Sequence, residues 1–365
     1  IYGDGEQAAK QFIDVVREGK KLGLSKREIL KSCHGVVEGF YEPDCYEHSY
    51  DGKGTLTKIA HAEGREYAQF PVTRATVPDL DEVRTLEEKV MPYTGDGASV
   101  DVAIAGSVGC IGSAGWGACS LCREGSEGPY RERSLAKVME ALANATRNQG
   151  TKEVSFFSLN FNHYSEFFPL VAEAAAKGYK VGLISQRVDI LAETPEQIRV
   201  QRFLKKSNFT LGVEGISSRM RAYLNKNLQE WEILLCMTEM MREGAGEVKL
   251  FFIMTGLEQE VDIDECCVLM EKVNAIKEKL HARTRFRISF TPLFPAAFTA
   301  LQFAPANAAI KHGTRSLDKL FQRAKELGWG RRLSVSGEEP LISNTINHGG
   351  RNITGLLLQT HFQDN

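Results

Sequence analysis

Cys110, Cys119 and Cys122 carry the clearest chemistry in this chain. They lie in a glycine-rich stretch from Gly109 to Arg123, reading Gly-Cys-Ile-Gly-Ser-Ala-Gly-Trp-Gly-Ala-Cys-Ser-Leu-Cys-Arg. Three close thiolates can hold a metal centre, and neither a fourth cysteine nor a histidine stands nearby in the sequence. A structural zinc site takes four protein ligands and is closed. An iron–sulfur cluster held by three cysteines keeps one iron open to a substrate or cofactor. The count of three therefore points to chemistry, with a zinc loop or buried free thiols as the plainer alternatives.

The elements that must position this loop follow from hydrophobic periodicity. A short apolar strand over 100–104 precedes the loop directly. Further strands are expected over 153–158, 180–184, 209–213, 248–254 and 285–290. Helices are expected over 134–148, 167–177, 196–206, 217–242, 261–280 and 314–328. Six strand–helix units in alternation imply parallel strands with right-handed crossovers. The predicted fold class is thus α/β, a six-unit parallel β/α part-barrel, with its site at the C-terminal ends of the strands.

Polar residues ending the other strands should then converge on the cysteines. They are Ser158, Asn160, Asn162, His163 and Tyr164 after the second strand, and Gln186 and Arg187 after the third. Glu214, Ser217 and Arg219 follow the fourth, Thr255 and Gly256 the fifth, and Thr291 the sixth. His163 and Tyr164 are the candidate proton or hydrogen-atom partners, although a lone histidine is more often structural. Short polar residues at strand ends also serve as ordinary helix caps. Cys236, Cys266 and Cys267 sit among apolar neighbours on helical segments and read as inert buried thiols. Cys33, His34 and Cys45 are candidates for a second metal site, but their spacing matches no common template. Arg283, Arg285 and Arg287 alternate along a strand and read as a solvated rim.

The chain has 365 residues, enough for one large domain or two ordinary ones. Its 42% hydrophobic and 25% charged residues are those of a globular protein. A net charge of -2 argues against a strongly electrostatic nucleic-acid binder, with a local basic groove left open. No apolar run reaches the roughly 18 residues that span a membrane. The eight cysteines form no disulfide framework, which suits a reducing, cytoplasmic setting.

Residues 6–32 read as one or two helices, and 33–98 as an irregular connector rich in Gly, Pro and Asp. The opening Ile-Tyr-Gly-Asp-Gly-Glu has no initiator Met and reads as a strand end, a turn and a helix start. Both ends are expected to continue in a longer protein.

Several segments together resemble the radical S-adenosylmethionine (SAM) superfamily, and within it the cobalamin-binding type. They are the cysteine loop followed by Tyr-Arg-Glu-Arg-Ser at 130–134, and Gly-Val-Glu-Gly-Ile-Ser-Ser-Arg-Met-Arg-Ala-Tyr-Leu-Asn-Lys at 212–226. Val-Lys-Leu-Phe-Phe-Ile-Met-Thr-Gly-Leu-Glu-Gln-Glu at 248–260 and Phe-Thr-Ala-Leu-Gln-Phe-Ala-Pro at 298–305 complete the set. The likeness covers 100–305 and extends less securely through 36–60 and 338–358.

The resemblance implies a [4Fe–4S] cluster on Cys110, Cys119 and Cys122, with SAM on the open iron. It implies SAM contacts from Ser158, Asn160, Gln186, Arg187, Glu214, Ser217 and Arg219, and an adenine-facing turn at Gly256 and Leu257. It implies a tail of a cobalamin-binding domain over 1–32, a connector over 33–98, the barrel over 99–305 and an extension over 306–365. The activity so implied is methylation of an unactivated carbon with cobalamin. Radical chemistry without methyl transfer (rearrangement, cyclisation or sulfur insertion) and a non-catalytic metal-binding module are the alternatives. Partners would be a small molecule, or a peptide or protein side chain, and an electron donor such as flavodoxin or ferredoxin. The loop departs from the family in its long first spacer, eight residues between Cys110 and Cys119. Leu121 stands where the family usually has an aromatic residue, and Trp116 could supply that packing from within the loop.

Overall fold

A computed structural model describes residues 1–53, 55–83, 102–114, 117–156, 158–183, 186–304, 317–333 and 353. The chain divides into two compact units that part at residue 84.

In the first unit, helix α1 (Gly5–Lys21) packs against α2 (Lys26–Cys33). A capping box starts α2: Ser25 Oγ accepts from Glu28 N, and Ser25 N donates to the Glu28 carboxylate at 2.8 Å. The two helices meet so closely that a Cβ on Gly19 would lie 2.5 Å from Ile29 Cγ1. Ala8, Cys33, Val37, Phe40 and Ala75 form the core here. The connector expected to be irregular contains an antiparallel hairpin, β1 (Tyr46–Tyr50) with β2 (Leu56–His61), in the register Tyr46↔His61. Asp51 Oδ1 closes its turn by accepting from Lys53 N at 2.9 Å and Thr55 N at 2.8 Å. The hairpin escapes periodicity because β2 is largely exposed and carries no alternation of apolar residues.

The second unit is α/β with parallel strands. Strand β3 (Val102–Ile104) leads through β4 (Ser107–Val108) into the cysteine loop. Helix α3 (Glu124–Glu127) and β5 (Arg131–Glu132) close the loop, β5 pairing antiparallel with β4. Then follow α4 (Leu135–Gln149), β6 (Glu153–Phe156), α5 (Phe167–Ala176) and β7 (Lys180–Leu183). The strands β3, β6 and β7 form one parallel sheet.

Helices α6 (Val188–Glu193) and α7 (Glu196–Phe203) lead to β8 (Asn208–Glu214). After it come α8 (Ser218–Tyr223), α9 (Glu230–Arg242), β9 (Glu247–Met254), α10 (Glu260–Lys279), β10 (Arg285–Pro292), a helix over 317–326 and β11 (Gly330–Leu333). These four strands form a second parallel sheet in the order β11-β10-β9-β8. A parallel bridge between Gln186 and Leu211 carries the pairing from one sheet to the other.

All six expected strands are present, although positions 100, 101, 157 and 184 lie outside the described residues, as do Trp116 and 314–316. Strand β11 is an addition: its side chains are exposed, so it has no apolar signal to read. Helix α6 was not expected either.

Local chemistry explains the boundaries. Ser134 caps α4 by accepting from Lys137 N, and Gly150 ends it in the left-handed conformation at φ 69°. Along β9, Val248, Leu250, Phe252 and Met254 are buried in alternation. The register sets Phe252 beside Phe290 of β10, and their rings stack at 5.3 Å. The helix expected over 217–242 is two helices. Asn225 takes a left-handed φ of 51°, which asparagine tolerates and helix propagation does not. Among the described residues, no helix is long and apolar enough to cross a membrane.

Candidate metal and cofactor site

The thiols of Cys110, Cys119 and Cys122 are half-buried and not linked by disulfides. Backbone bonds hold their loop from three sides. Cys122 N donates to Cys119 O at 2.9 Å, a turn that brings two thiols onto one short arc. Ser120 N donates to Leu224 O at 2.9 Å, and Leu301 N to Ser120 O at 3.0 Å. Asn225, placed by the break between α8 and α9, donates its side-chain amide to Ala118 O at 2.7 Å. Gly112 is needed here: a Cβ would lie 2.9 Å from the Ala118 backbone.

The three thiols are one short of the four protein ligands that close a structural zinc site, and they suit a cluster that keeps one iron open. Burial raises the Cys119 thiol; Lys226 and Arg187 oppose that by attracting the thiolate, while Glu214 and Cys122 add to it. Burial likewise raises Cys122, eased by backbone N–H groups of Gly125 and Glu124 and worsened by Cys110. Cationic neighbours and backbone donors are what a thiolate ligand needs.

Of the expected site residues, Asn160 is in direct contact, its amide donating to Cys110 Sγ at 3.1 Å. Ser158 accepts from Ser107 N at 3.0 Å and donates to Ser107 O at 3.1 Å, bracing the backbone before the loop. Arg187 is buried near Cys119 and Cys110 and forms a buried ion pair with Asp189, Nη2 to Oδ2 at 2.5 Å. Burial opposes its charge, but Asp189 together with Cys119 and Cys110 outweighs this and raises its pKa. Asn162 fixes the Arg187 backbone reciprocally, with two bonds of 3.0 Å. Glu214 ends β8 at φ 66°, a left-handed conformation costly for a residue with a Cβ, with Lys226 Nζ 3.8 Å from its Oε1. His163 is half-buried, edge-on to Tyr130 at 5.5 Å, and burial lowers its pKa.

Other expected residues spend their polar groups elsewhere. Tyr164 is buried, stacks on Phe161 and donates its hydroxyl to Arg133 O at 2.8 Å. Gln186 pairs its amide with Gln201 through two bonds of 2.6 and 2.9 Å. Ser217 caps α8 and donates to Asp262 at 2.5 Å. Arg219 pairs with Asp262 and donates to Leu257 O at 2.9 Å. Gly256 N donates to Glu258 Oε2 at 2.8 Å, and the same carboxylate takes Thr255 N and Oγ1. Thr291 is half-buried in β10, opposite Ile253.

Sequence reasoning missed Lys226, Asp189 and Arg133. Lys226 closes the segment 212–226 that carries the resemblance, yet a lysine there reads as a surface residue until its burial is known. Arg133 is buried and donates Nε to Ala105 O at 3.1 Å, tying 130–134 to the start of the loop.

No family model matches the chain. An uncharacterized protein of Methanocaldococcus jannaschii is 23% identical over 195 residues, which is 53% of this chain and 42% of that protein. The chain thus spans less than half the length of the curated relative it matches. Among solved structures, SuiB of Streptococcus suis bound to S-adenosylmethionine aligns with 65% of this chain and 50% of its own, at 12% identity and TM-score 0.42. OxsB, a cobalamin-dependent S-adenosylmethionine radical enzyme with aqua-cobalamin bound, aligns at 14% identity and TM-score 0.40, over 60% of this chain and 30% of its own. The radical SAM methyltransferase TsrM of Kitasatospora setae, with cobalamin and a [4Fe–4S] cluster bound, aligns at 15% identity and TM-score 0.36, over 55% and 38%. Identities this low leave its activity to be argued from its own residues.

Proposed function

We propose that this chain is the catalytic part of a radical SAM enzyme with its site at the strand ends of a β/α part-barrel. The observation that carries the reading is the loop itself. Three half-buried thiols follow the first parallel strand, are tied to Leu224 and Leu301, and face Arg187 and Lys226. Cys110, Cys119 and Cys122 would hold a [4Fe–4S] cluster whose remaining iron takes the amino and carboxylate groups of SAM. Such a cluster supplies one electron to the SAM sulfonium, and the cofactor carries that chemistry.

The chain's own residues orient and tune. Asn160 donates to the Cys110 sulfur, a contact that shifts cluster potential. Arg187, held rigid by Asp189 and Asn162, places a fixed positive charge beside the thiolates. Glu214 is the carboxylate we assign as acceptor from an N–H of the SAM amino group, with Lys226 beside it. His163 is the proton partner we assign, kept neutral by burial. Ser158, Gln186, Ser217, Arg219, Gly256 and Tyr164 shape the walls through the bonds described above.

Tyr164→Phe separates wall from chemistry. It is expected to cost about 1 kcal/mol in a urea titration, from the lost bond to Arg133 O, and to leave SAM cleavage unchanged. A loss of cleavage with a folded protein would return Tyr164 to the catalytic set.

Cobalamin-dependent methylation of an unactivated carbon is the activity we propose for the full-length protein, with a flavodoxin or ferredoxin as electron donor. Cobalamin enters through the resemblance alone. Corrinoid found in the full-length protein supports methyl transfer; activity without corrinoid assigns radical chemistry of another kind.

The deciding experiment is anaerobic reconstitution with iron and sulfide, then electron paramagnetic resonance of the reduced protein with and without SAM. A cubane-type signal that shifts on adding SAM is expected. No cluster, or a signal indifferent to SAM, overturns the proposal.

A further inference from the structure

The first unit holds a second cluster of ligating side chains, independent of the cysteine loop. A ring nitrogen of His34, a carboxylate oxygen of Glu42 and the sulfur of Cys45 all lie within 4.8 Å of one another. The His34 side chain is 3% exposed, that of Glu42 10%, and Cys45 is fully buried. His34 Nε2 is 3.2 Å from Glu42 Oε2 and 3.8 Å from Cys45 Sγ.

Cysteine, histidine and glutamate also make a nucleophilic triad, but that arrangement needs both ring nitrogens, one for each partner. Here both partners approach the same nitrogen, and His34 Nδ1 has no hydrogen-bond partner among the described residues. Convergence on one point is the geometry of ligands around an ion. Bonds of about 2.3 Å to sulfur and about 2.05 Å to nitrogen and oxygen give tetrahedral separations of about 3.6 Å for S to N and about 3.3 Å for N to O. The observed 3.8 and 3.2 Å lie close to both values.

The surroundings are built in the same sense. Phe40 and Tyr67 meet the His34 ring edge-on at 4.9 and 5.3 Å and fix its plane. Arg65 lies 3.7 Å from Glu42 Oε1, leaving Oε2 turned to the cluster, and donates to the Tyr67 hydroxyl at 2.5 Å. That hydroxyl is 3.8 Å from Cys45 Sγ and borders the fourth corner. A thiolate and a carboxylate around a divalent cation cancel its charge, so the buried group is neutral apart from Arg65.

We propose that His34, Glu42 and Cys45 bind one borderline-soft divalent cation of the zinc class. Binding sends the thiol proton to solvent and forms one metal–sulfur, one metal–nitrogen and one metal–oxygen bond. His34 follows α2 directly, and Cys45 directly precedes β1. The ion therefore clamps the end of the helix to the start of the hairpin.

The test uses the full chain with Cys110, Cys119 and Cys122 all changed to Ser, stripped by chelator, so that the cysteine loop cannot contribute. Cobalt(II) titrated anaerobically is expected to give a saturable thiolate-to-cobalt charge-transfer band at one equivalent, displaced by zinc and absent when Cys45→Ser is added. Zinc is expected to raise the melting temperature of the first protein and not of the second. X-ray absorption of the zinc form should show one sulfur with nitrogen and oxygen ligands, a reading independent of whether Cys45→Ser folds. No saturable band, a band that survives Cys45→Ser, or a shell with no sulfur or with two overturns the proposal.

Discussion

Cys119→Ala is expected to abolish the SAM-dependent change in the electron paramagnetic resonance signal and to reduce SAM cleavage to the level without enzyme. Cys119 is a direct ligand in the proposed cluster, at the centre of the loop's tethers and nearest the charges of Lys226 and Arg187. Loss of an outer partner typically costs about 10–100-fold in metal affinity or activity, and loss of a ligand costs more. Asn160→Ala supplies the calibration, since it removes the donor to Cys110 Sγ and leaves all three thiols. It should retain a cluster with a shifted reduction potential and fall in that 10–100-fold range. Iron content and SAM cleavage, measured on both variants, check the order. SAM cleavage that survives Cys119→Ala would remove the cluster from that loop.

Asp189→Ala is expected to destabilise the fold by about 3–5 kcal/mol, because it leaves the Arg187 guanidinium buried without its partner. Both side chains are 8% exposed, so water cannot take over the role of Asp189. Replacing the pair together, Arg187→Met with Asp189→Leu, should recover most of that stability, since a well-packed apolar pair avoids the desolvation cost. The double variant would still lack the positive charge beside Cys110 and Cys119. Denaturant titration reads the first effect, and the reduction potential of the reconstituted protein reads the second. Recovery of stability with no change in potential would make Arg187 a scaffold residue only.

Parallel alternation is legible in this sequence because the strands β9 and β10 bury alternate large residues and the helices between them are amphipathic. The cysteine loop is legible because thiol chemistry is confined to one residue type. Strand β2 of the hairpin and strand β11 are not, since strands this exposed leave no apolar trace. The break at Asn225 escapes for a different reason: window averages over 217–242 read helix, and one left-handed residue decides otherwise. Site residues divide along similar lines. Strand-end position brings Asn160, Arg187 and Glu214 into view. It cannot show that Gln186 is turned to Gln201 or that Arg219 is turned to Asp262, because those partners lie on α7 and α10, further along the chain. Nor can spacing show His34, Glu42 and Cys45 as one cluster, since their convergence depends on the turn between α2 and β1.

The bonds from Ser120 to Leu224 and Leu301 also set an order of events during synthesis. A chain emerges from its N-terminal end, and a domain folds as a unit once its segments are out. The cysteines at 110, 119 and 122 leave the ribosome long before either anchor exists. Leu224 can fasten one side of the loop when its segment appears, and the other side waits for residue 301. Iron delivered in that interval meets thiols that are exposed and not yet held. The tethers thus place maturation of the proposed centre after residue 301 has emerged, and a chain stopped short of that residue would present the cysteines without the frame that makes them a site.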